Sequence, residues 1–178
     1  MASETQALLA DGKLAGSWTL DGARSSVGLR TKSVWGLVKV KGVFGQVSGA
    51  AVISVGGEAT GTITVAAASI DTGVKKRDDH LRSADFFDAG KYPDISASIT
   101  SVTLSGDGAD ATFSGTLTVR DQTRPVTVSG QVSAQGADEI RLDADLPVNR
   151  RDYGMSFNQL NMMSLDNVIT IHAVFTKA

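Results

Sequence analysis

Apolar and polar residues alternate with a period of two along most of this chain. The alternation is clearest over residues 109–119, 126–134 and 140–148, where apolar side chains take one face and Thr, Ser, Gln, Arg or Asp side chains take the other. Successive side chains of a β-strand point to opposite faces, so the pattern predicts strands. An apolar face and a polar face are typical of an antiparallel sheet with one side in water.

Further strands are predicted on either side of these three. We place them near 17–21, 26–32, 37–44, 47–55, 60–68, 95–104 and 168–176. A change of phase near Thr100 predicts a bulge or a bend in its strand. Many short strands separated by glycine turns predict an all-β sandwich or barrel. The helix that we predict is short, about 75–83, with Asp71 or Thr72 nearby as a possible cap.

Size and composition fit a single globular domain. The chain has 178 residues, of which 42% are hydrophobic, and we predict an N-terminal arm over 1–15 followed by one domain over 16–178. The formal net charge of −2 offers no basic footprint, so nucleic acid is not an expected partner. The absence of cysteine excludes disulfides, thiolate catalysis and cysteine-ligated zinc.

The N-terminus does not resemble a signal peptide. Glu4 stands where a leader would be basic, and the apolar run 7–10 is shorter than the roughly 7–15 residues of a leader's apolar core. No stretch approaches the ~20 apolar residues of a membrane helix. We therefore expect a cytoplasmic protein with no integral membrane segment.

Residues 69–93 interrupt the strand pattern. Lys75 to Arg82 are ionisable except for Leu81, and the pair Phe86-Phe87 follows closely. Charges of both signs beside an apolar pair suggest the mouth of a pocket that takes a polar head and an apolar tail. The predicted inner faces are rich in Ala, Gly and Val, which would leave volume for a long hydrocarbon. The alternative is that Trp18, Trp35 and the phenylalanines fill that space.

Several ordered motifs resemble the YceI-like family of lipocalin-like barrels, which is associated with polyisoprenoid binding. The resemblance begins at Trp18-Thr19-Leu20-Asp21 and covers most of the chain. The most specific part is Ser69-Ile70-Asp71-Thr72 followed by Arg77-Asp78-Asp79-His80-Leu81-Arg82-Ser83, Asp85-Phe86-Phe87-Asp88 and Tyr92-Pro93. Other matching pieces are Lys41-Gly42-Val43-Phe44, Gly115 to Arg120, and Arg150-Arg151-Asp152-Tyr153-Gly154-Met155. The chain departs from the family in lacking the opening histidine and in placing Arg120 near a usual glycine.

The resemblance implies an extended eight-stranded antiparallel barrel with a ligand tail in its lumen. The family is associated with isoprenoid quinones, polyprenyl phosphates and related long-chain amphiphiles, and many of its members are periplasmic. On this basis we expect a long-chain lipid as ligand and no other cofactor.

Two sets of side chains are candidates for ligand contact. The predicted head-group set at the mouth is Arg77, Asp78, His80, Arg150 and Asp152, because guanidinium and imidazole groups suit phosphate or carbonyl oxygens. The alternative is that the charged residues of 77–80 only close one end of the barrel, and that the second charged pair, Arg150 and Asp152, serves an ion pair with Asp78 or Asp79 that locks the loop. The predicted tail-lining set is Trp35, Phe86, Phe87, Phe113, Leu117, Tyr153 and Met155; these residues are also candidates for ordinary core.

Catalysis and metal binding have less support. A zinc site would need both histidines, His80 and His172, to converge with a carboxylate, and the chain has no nucleophile-elbow motif. We name no catalytic and no metal-binding residue. The first hypothesis is a non-enzymatic carrier or storage protein for a long-chain isoprenoid, with a homodimer as the candidate assembly. The alternatives are an enzyme that acts on an isoprenoid or lipid amide in the same cavity through His80, and a stress-response interaction module.

Overall fold

The computed structural model describes residues 3–106 and 109–178; residues 1–2 and 107–108 lie outside it. In the described residues, two α-helices accompany eleven strand segments. The helices are α1 (Glu4–Ala10) and α2 (Lys75–Arg82). The strands are β1 (Gly16–Leu20), β2 (Ser26–Ser33), β3 (Val38–Phe44), β4 (Val47–Ile53), β5 (Ala59–Ala66), β6 (Ile70–Asp71), β7 (Asp94–Ser105), β8 (Asp110–Val119), β9 (Gln122–Ala134), β10 (Glu139–Asn149) and β11 (Asp166–Lys177). Short 3₁₀ segments lie at Ala67–Ser69, Arg150–Tyr153 and Gln159–Asn161.

The strands close into an eight-stranded antiparallel barrel, as the resemblance implied. Within the described part of the chain, the ring runs β1-β4-β5-β7-β8-β9-β10-β11 and returns to β1. The C-terminal part of β11 pairs with β1, and its N-terminal part pairs with β2. The β2–β3 hairpin therefore extends the same sheet beyond the ring, and β6 adds to β3.

The alternation in the sequence matches the two faces of the barrel wall. On β10, Leu142, Ala144 and Leu146 are buried while the intervening residues are exposed. On β8, Ala111, Phe113, Leu117 and Val119 are buried. Period-two patterning predicts this arrangement because a closed barrel has one dry face and one wet face.

The phase change near Thr100 is confirmed as a break in strand pairing. The register between β7 and β8 shifts between Ile99 and Ser101. Opposite this irregularity, a side chain on Gly115 would overlap the backbone oxygen of Ser98. A glycine at this position lets the two backbones approach closely.

Helix α1 packs across one end of the barrel. Ser3 and Gln6 form a capping box at its start, which satisfies two of the free backbone N–H groups of a helix N-terminus. The buried hydroxyl oxygen of Thr5 accepts the backbone N–H of Ala134 at 2.9 Å. The predicted arm is thus an ordered helix attached to β9.

Helix α2 and the segment after it cover the other end. Strand β6 pairs with β3, while β7 begins at Asp94, so residues 72–93 bridge the interval between them. The helix lies where the sequence predicted it. The expectation that Asp71 or Thr72 caps it is wrong, because Val74 occupies the N-cap position and makes no side-chain cap bond.

Candidate functional site

An apolar cavity of about 110 Å³ lies inside the barrel at the α2 end. Its walls are mainly aliphatic and aromatic side chains from β2, β5, β7, β8, β10 and β11. The residues after α2 add Phe86 and Phe87, and the 3₁₀ segment that follows β10 adds Tyr153 and Met155. Burial raises the pKa of the Tyr153 phenol, and the nearby Asp152 charge raises it further, so this hydroxyl is neutral at physiological pH.

A second apolar cavity of about 110 Å³ lies at the α1 end. The two cavities occupy opposite ends of the lumen, because Leu146 and Val148 of β10 line the first while Ile140 and Leu142 line the second. Helix α1 contributes Leu9 to the second cavity. One side chain, Ile63 of β5, lines both, so it stands where the two spaces meet.

Arg150 introduces a charge into the wall of the first cavity. Its side chain is buried, with the residue only 6% exposed, and it is a lining residue. The guanidinium donates from Nε to the backbone oxygen of Ser164 at 3.1 Å and from Nη1 to that of Met155 at 2.7 Å. It also lies 5.5 Å from the centre of the Phe86 ring.

The Arg150 guanidinium is incompletely satisfied. Its Nη2 is buried without a hydrogen-bond partner, and no ion pair joins it to a carboxylate anywhere in residues 3–106 or 109–178. Burial lowers the pKa of the group, and the neighbouring Arg151 charge lowers it further. A buried cation without a counter-charge is costly, so its presence beside a cavity is a signal for an oxygen-bearing ligand group.

Two charged residues of α2 form hydrogen bonds with Thr72. Asp78 is buried and accepts hydrogen bonds from the backbone N–H and the hydroxyl of Thr72. Arg77 donates from Nε to the Thr72 hydroxyl at 2.7 Å and from Nη2 to the Thr72 backbone oxygen at 2.8 Å. Thr72 therefore links both charges and fixes α2 to the end of β6, which is the structural alternative considered for this motif.

His80 lies behind the wall of the first cavity, against Phe86. Its Nε2 lies 2.9 Å from a carboxylate oxygen of Asp85, and its ring packs edge-on against Phe86 and Phe157. It lines neither cavity. Its contact with the wall of the first cavity is through Phe86, which is a lining residue. Among the described residues, no group of three or more His, Cys, Asp or Glu side chains is placed to hold a metal ion.

Some of the predicted site residues line a cavity and others do not. Of the tail-lining set, Phe86, Phe87, Leu117, Tyr153 and Met155 line the first cavity and Phe113 lines the second. The placement of Trp35 in that set is wrong, because Trp35 is 65% exposed at a hairpin tip. Of the head-group set, Arg150 lines a cavity, whereas Arg77, Asp78, His80 and Asp152 line neither.

Arg120 is a structural element that the sequence argument did not single out. Its Nη1 reaches the backbone oxygens of Phe86 at 3.2 Å and Gly154 at 3.3 Å, so it ties together the two segments that supply the cavity aromatics. Its φ of +58° explains why the related position favours glycine. The signal in the sequence was that Arg120 stands near a position where the family usually has glycine.

Together, the strands and cavities define a closed antiparallel β-barrel with an apolar lumen. The sequence profile of the YceI-like domain family matches residues 18–176. The chain belongs to this family.

Known relatives agree with that assignment. Protein YceI of Escherichia coli is 42% identical over 76 residues, which is 43% of this chain and 39% of the relative; the alignment thus spans about two fifths of the relative's length. The crystal structure of Burkholderia cenocepacia BcnA superposes with a TM-score of 0.78 at 24% identity, covering 87% of this chain and 98% of BcnA. A polyisoprenoid-binding domain from Saccharophagus degradans, implicated in plant cell wall breakdown, superposes with a TM-score of 0.73 at 17% identity, covering 90% and 98%. At these identities the solved structures establish the shared fold.

No helix in the described ranges is long and apolar enough to span a membrane.

Proposed function

We propose that this protein binds a long-chain isoprenoid lipid inside the barrel, with the tail in the lumen and the polar head at Arg150. The observation that carries the proposal is the unpartnered, buried Nη2 of Arg150 in an otherwise apolar wall. A head-group oxygen would accept from this donor and offset the cost of the buried charge. Isoprenoid quinones and polyprenyl phosphates both carry such oxygens, and the Saccharophagus degradans relative is named for polyisoprenoid binding.

The tail would occupy both cavities. Each holds about 110 Å³, which is less than the roughly 150 Å³ of an engineered cavity that accepts benzene. A long hydrocarbon therefore needs the two spaces joined past Ile63. Apolar burial at about 25 cal/mol per Å² gives such a tail a favourable free energy of several kcal/mol after the ordering costs.

Binding of this kind requires no chemical step. We propose a carrier or storage role, in which the barrel shields the tail from water and releases it at an acceptor. The enzymatic alternative relied on His80 as its general acid or base, and His80 lines neither cavity.

Native mass spectrometry after incubation with detergent-solubilised isoprenoid quinone or polyprenyl phosphate tests the proposal. We expect one added lipid per chain, and loss of that adduct in Ile63→Phe, because the larger ring separates the cavities. Val52→Phe is the matched control, since it adds the same ring to an exposed position on β4. A purely apo mass with both lipids would refute the proposal, as would equal uptake by the two variants. Far-UV circular dichroism checks that Ile63→Phe stays folded.

A further inference from the structure

The β2–β3 hairpin carries an unbalanced positive charge. Residues 22–57 contain no Asp or Glu but include five basic residues, although the whole chain has a net charge of −2. Four of these cations lie on the hairpin with exposed side chains, and we call them the cationic strip: Arg30, Lys32, Lys39 and Lys41.

The positions of the cationic strip place like charges opposite each other on β2 and β3. Arg30 stands directly across from Lys41, and Lys32 stands directly across from Lys39. Like charges at directly opposed positions of an antiparallel pair destabilise it. Arg30 forms an ion pair with Asp145 at 3.7 Å, which offsets part of its repulsion with Lys41. Within the described residues, the three lysines of the strip form no ion pair. An anionic partner would turn this repulsion into attraction.

Apolar side chains project from the same end of the hairpin. Trp35 is 65% exposed, Leu37 is 81% exposed and, on the neighbouring loop, Leu160 is 71% exposed; we call these three residues the apolar tip. The loop is attached to the hairpin, because the Trp35 backbone N–H donates to the Met162 oxygen at 3.0 Å and the Ser164 N–H donates to the Lys32 oxygen at 3.0 Å.

The turn that carries Trp35 has left-handed backbone geometry. Val34 and Trp35 have φ values of +50° and +53°, and Gly36 follows at +90°. Left-handed geometry is unfavourable for a β-branched residue such as valine. Strained residues of this kind persist where the surrounding structure holds them, and they cluster at functional sites.

These features adjoin the mouth of the first cavity. Thr31 of β2 and Met163 and Ser164 of the loop line that cavity. Thr31 lies between Arg30 and Lys32 of the cationic strip, and Met163 and Ser164 follow Leu160 of the apolar tip on the same loop. We propose that this end of the barrel docks on an anionic phospholipid bilayer. Trp35 and the two leucines enter the interface, where a tryptophan ring is well accommodated. The cationic strip contacts the phosphate groups.

The combination of charge and apolar side chains selects this partner. Nucleic acid or an acidic protein would complement the cations, but neither offers a hydrocarbon layer for adjacent exposed Trp and Leu side chains. A bilayer surface offers both in one plane.

The two tryptophans make the test direct. Trp18 is 1% exposed and Trp35 is 65% exposed, so a vesicle-dependent change of intrinsic fluorescence reports on the apolar tip. The chain is titrated, without added isoprenoid, with vesicles of phosphatidylcholine alone and of equal parts phosphatidylcholine and phosphatidylglycerol. We expect a blue shift with the anionic vesicles, loss of the shift in Trp35→Phe, and reversal at ~1 M salt, where screening acts over about 3 Å.

Matched variants separate the two contributions. Lys32→Gln with Lys39→Gln should weaken partition by roughly 25-fold, at roughly fivefold per cation, while Leu37→Ser should weaken binding without removing its salt dependence. The charge-matched control is Lys13→Gln with Lys177→Gln, and the apolar control is Val55→Ser. All three control positions belong to the α1 end of the barrel, and the controls should bind as the unchanged protein does.

Four outcomes would overturn docking: no shift with anionic vesicles, equal affinity for uncharged vesicles, equal losses in the controls, or a concentration-dependent shift without vesicles. The last result would mean that a second copy of the chain covers the tip. Because no lipid cargo is added, failure of docking is distinguishable from failure of isoprenoid binding.

Discussion

Replacing Arg150 by Met should distinguish the effect of the buried charge on the free energy of unfolding from its effect on lipid affinity. In the free protein the guanidinium donates two hydrogen bonds, to Ser164 and Met155, and leaves Nη2 unpaired. Losing two such bonds costs about 1.5–3 kcal/mol each when the donor is charged. Removing a buried, unpaired ion recovers several kcal/mol of desolvation free energy. The terms oppose each other, so we expect Arg150→Met to change the free energy of unfolding by less than about 2 kcal/mol.

Lipid affinity should respond much more strongly. A charge-assisted hydrogen bond to the head is worth about 1.5–3 kcal/mol, which corresponds to roughly 10- to 150-fold in the dissociation constant. We expect that loss for a polyprenyl phosphate and little change for squalene, an isoprenoid hydrocarbon with no polar head. Urea unfolding and competition binding measure the two quantities. The control is Arg151→Met, which removes the same charge from an exposed neighbour.

Two results would refute this reasoning. A fall in unfolding free energy above about 3 kcal/mol would mean that Arg150 is chiefly a structural anchor. Equal loss of affinity for the phosphate and for squalene would mean that the substitution reshapes the cavity and that Arg150 does not recognise a head group.

Three further predictions concern stability and are measured by urea unfolding. Thr5→Val should lower the free energy of unfolding by about 1–3 kcal/mol, because it leaves a buried backbone N–H of β9 without an acceptor, while Thr5→Ser should not. Gly115→Ala should cost more than about 2 kcal/mol of stability, because its Cβ meets the backbone of β7. Gly90→Ala, where the added Cβ meets open space, should change the stability by less than about 0.5 kcal/mol. Hydrogen bonding to Arg24 lowers the pKa of Glu139 below its usual 4.5, so its contribution is present above pH 4.5 and lost as pH falls through the lowered value. Glu139→Gln should therefore be less stable than the unchanged protein at pH 7, with the difference closing in acid; a constant difference would contradict this assignment.

Local features of the fold were predictable because their causes are local. Strand positions follow from the period-two alternation, since side chains on a strand must face alternately into the lumen and into water. The shift near Thr100 follows from the loss of that phase, and α2 follows from a run of residues that suits no strand. The docking of α1 was not predictable in the same way, because the Thr5 to Ala134 contact joins residues that are far apart in the chain.

The candidate site was predictable in part. The inward aromatics Phe86, Phe87 and Tyr153 lie in the cavity wall, as their motifs implied. Trp35 does not, because it occupies a turn of left-handed residues where strand alternation no longer determines direction.

The sequence by itself determined the composition of the barrel wall, the break at 69–93 and the family of the chain. Only the tertiary structure decided which charges are paired. Arg77, Asp78 and His80 find partners within six residues of sequence, whereas Arg150 is buried by barrel closure with Nη2 unpartnered. Desolvation depends on the whole set of atoms around a group, and that set exists only once distant strands have come together.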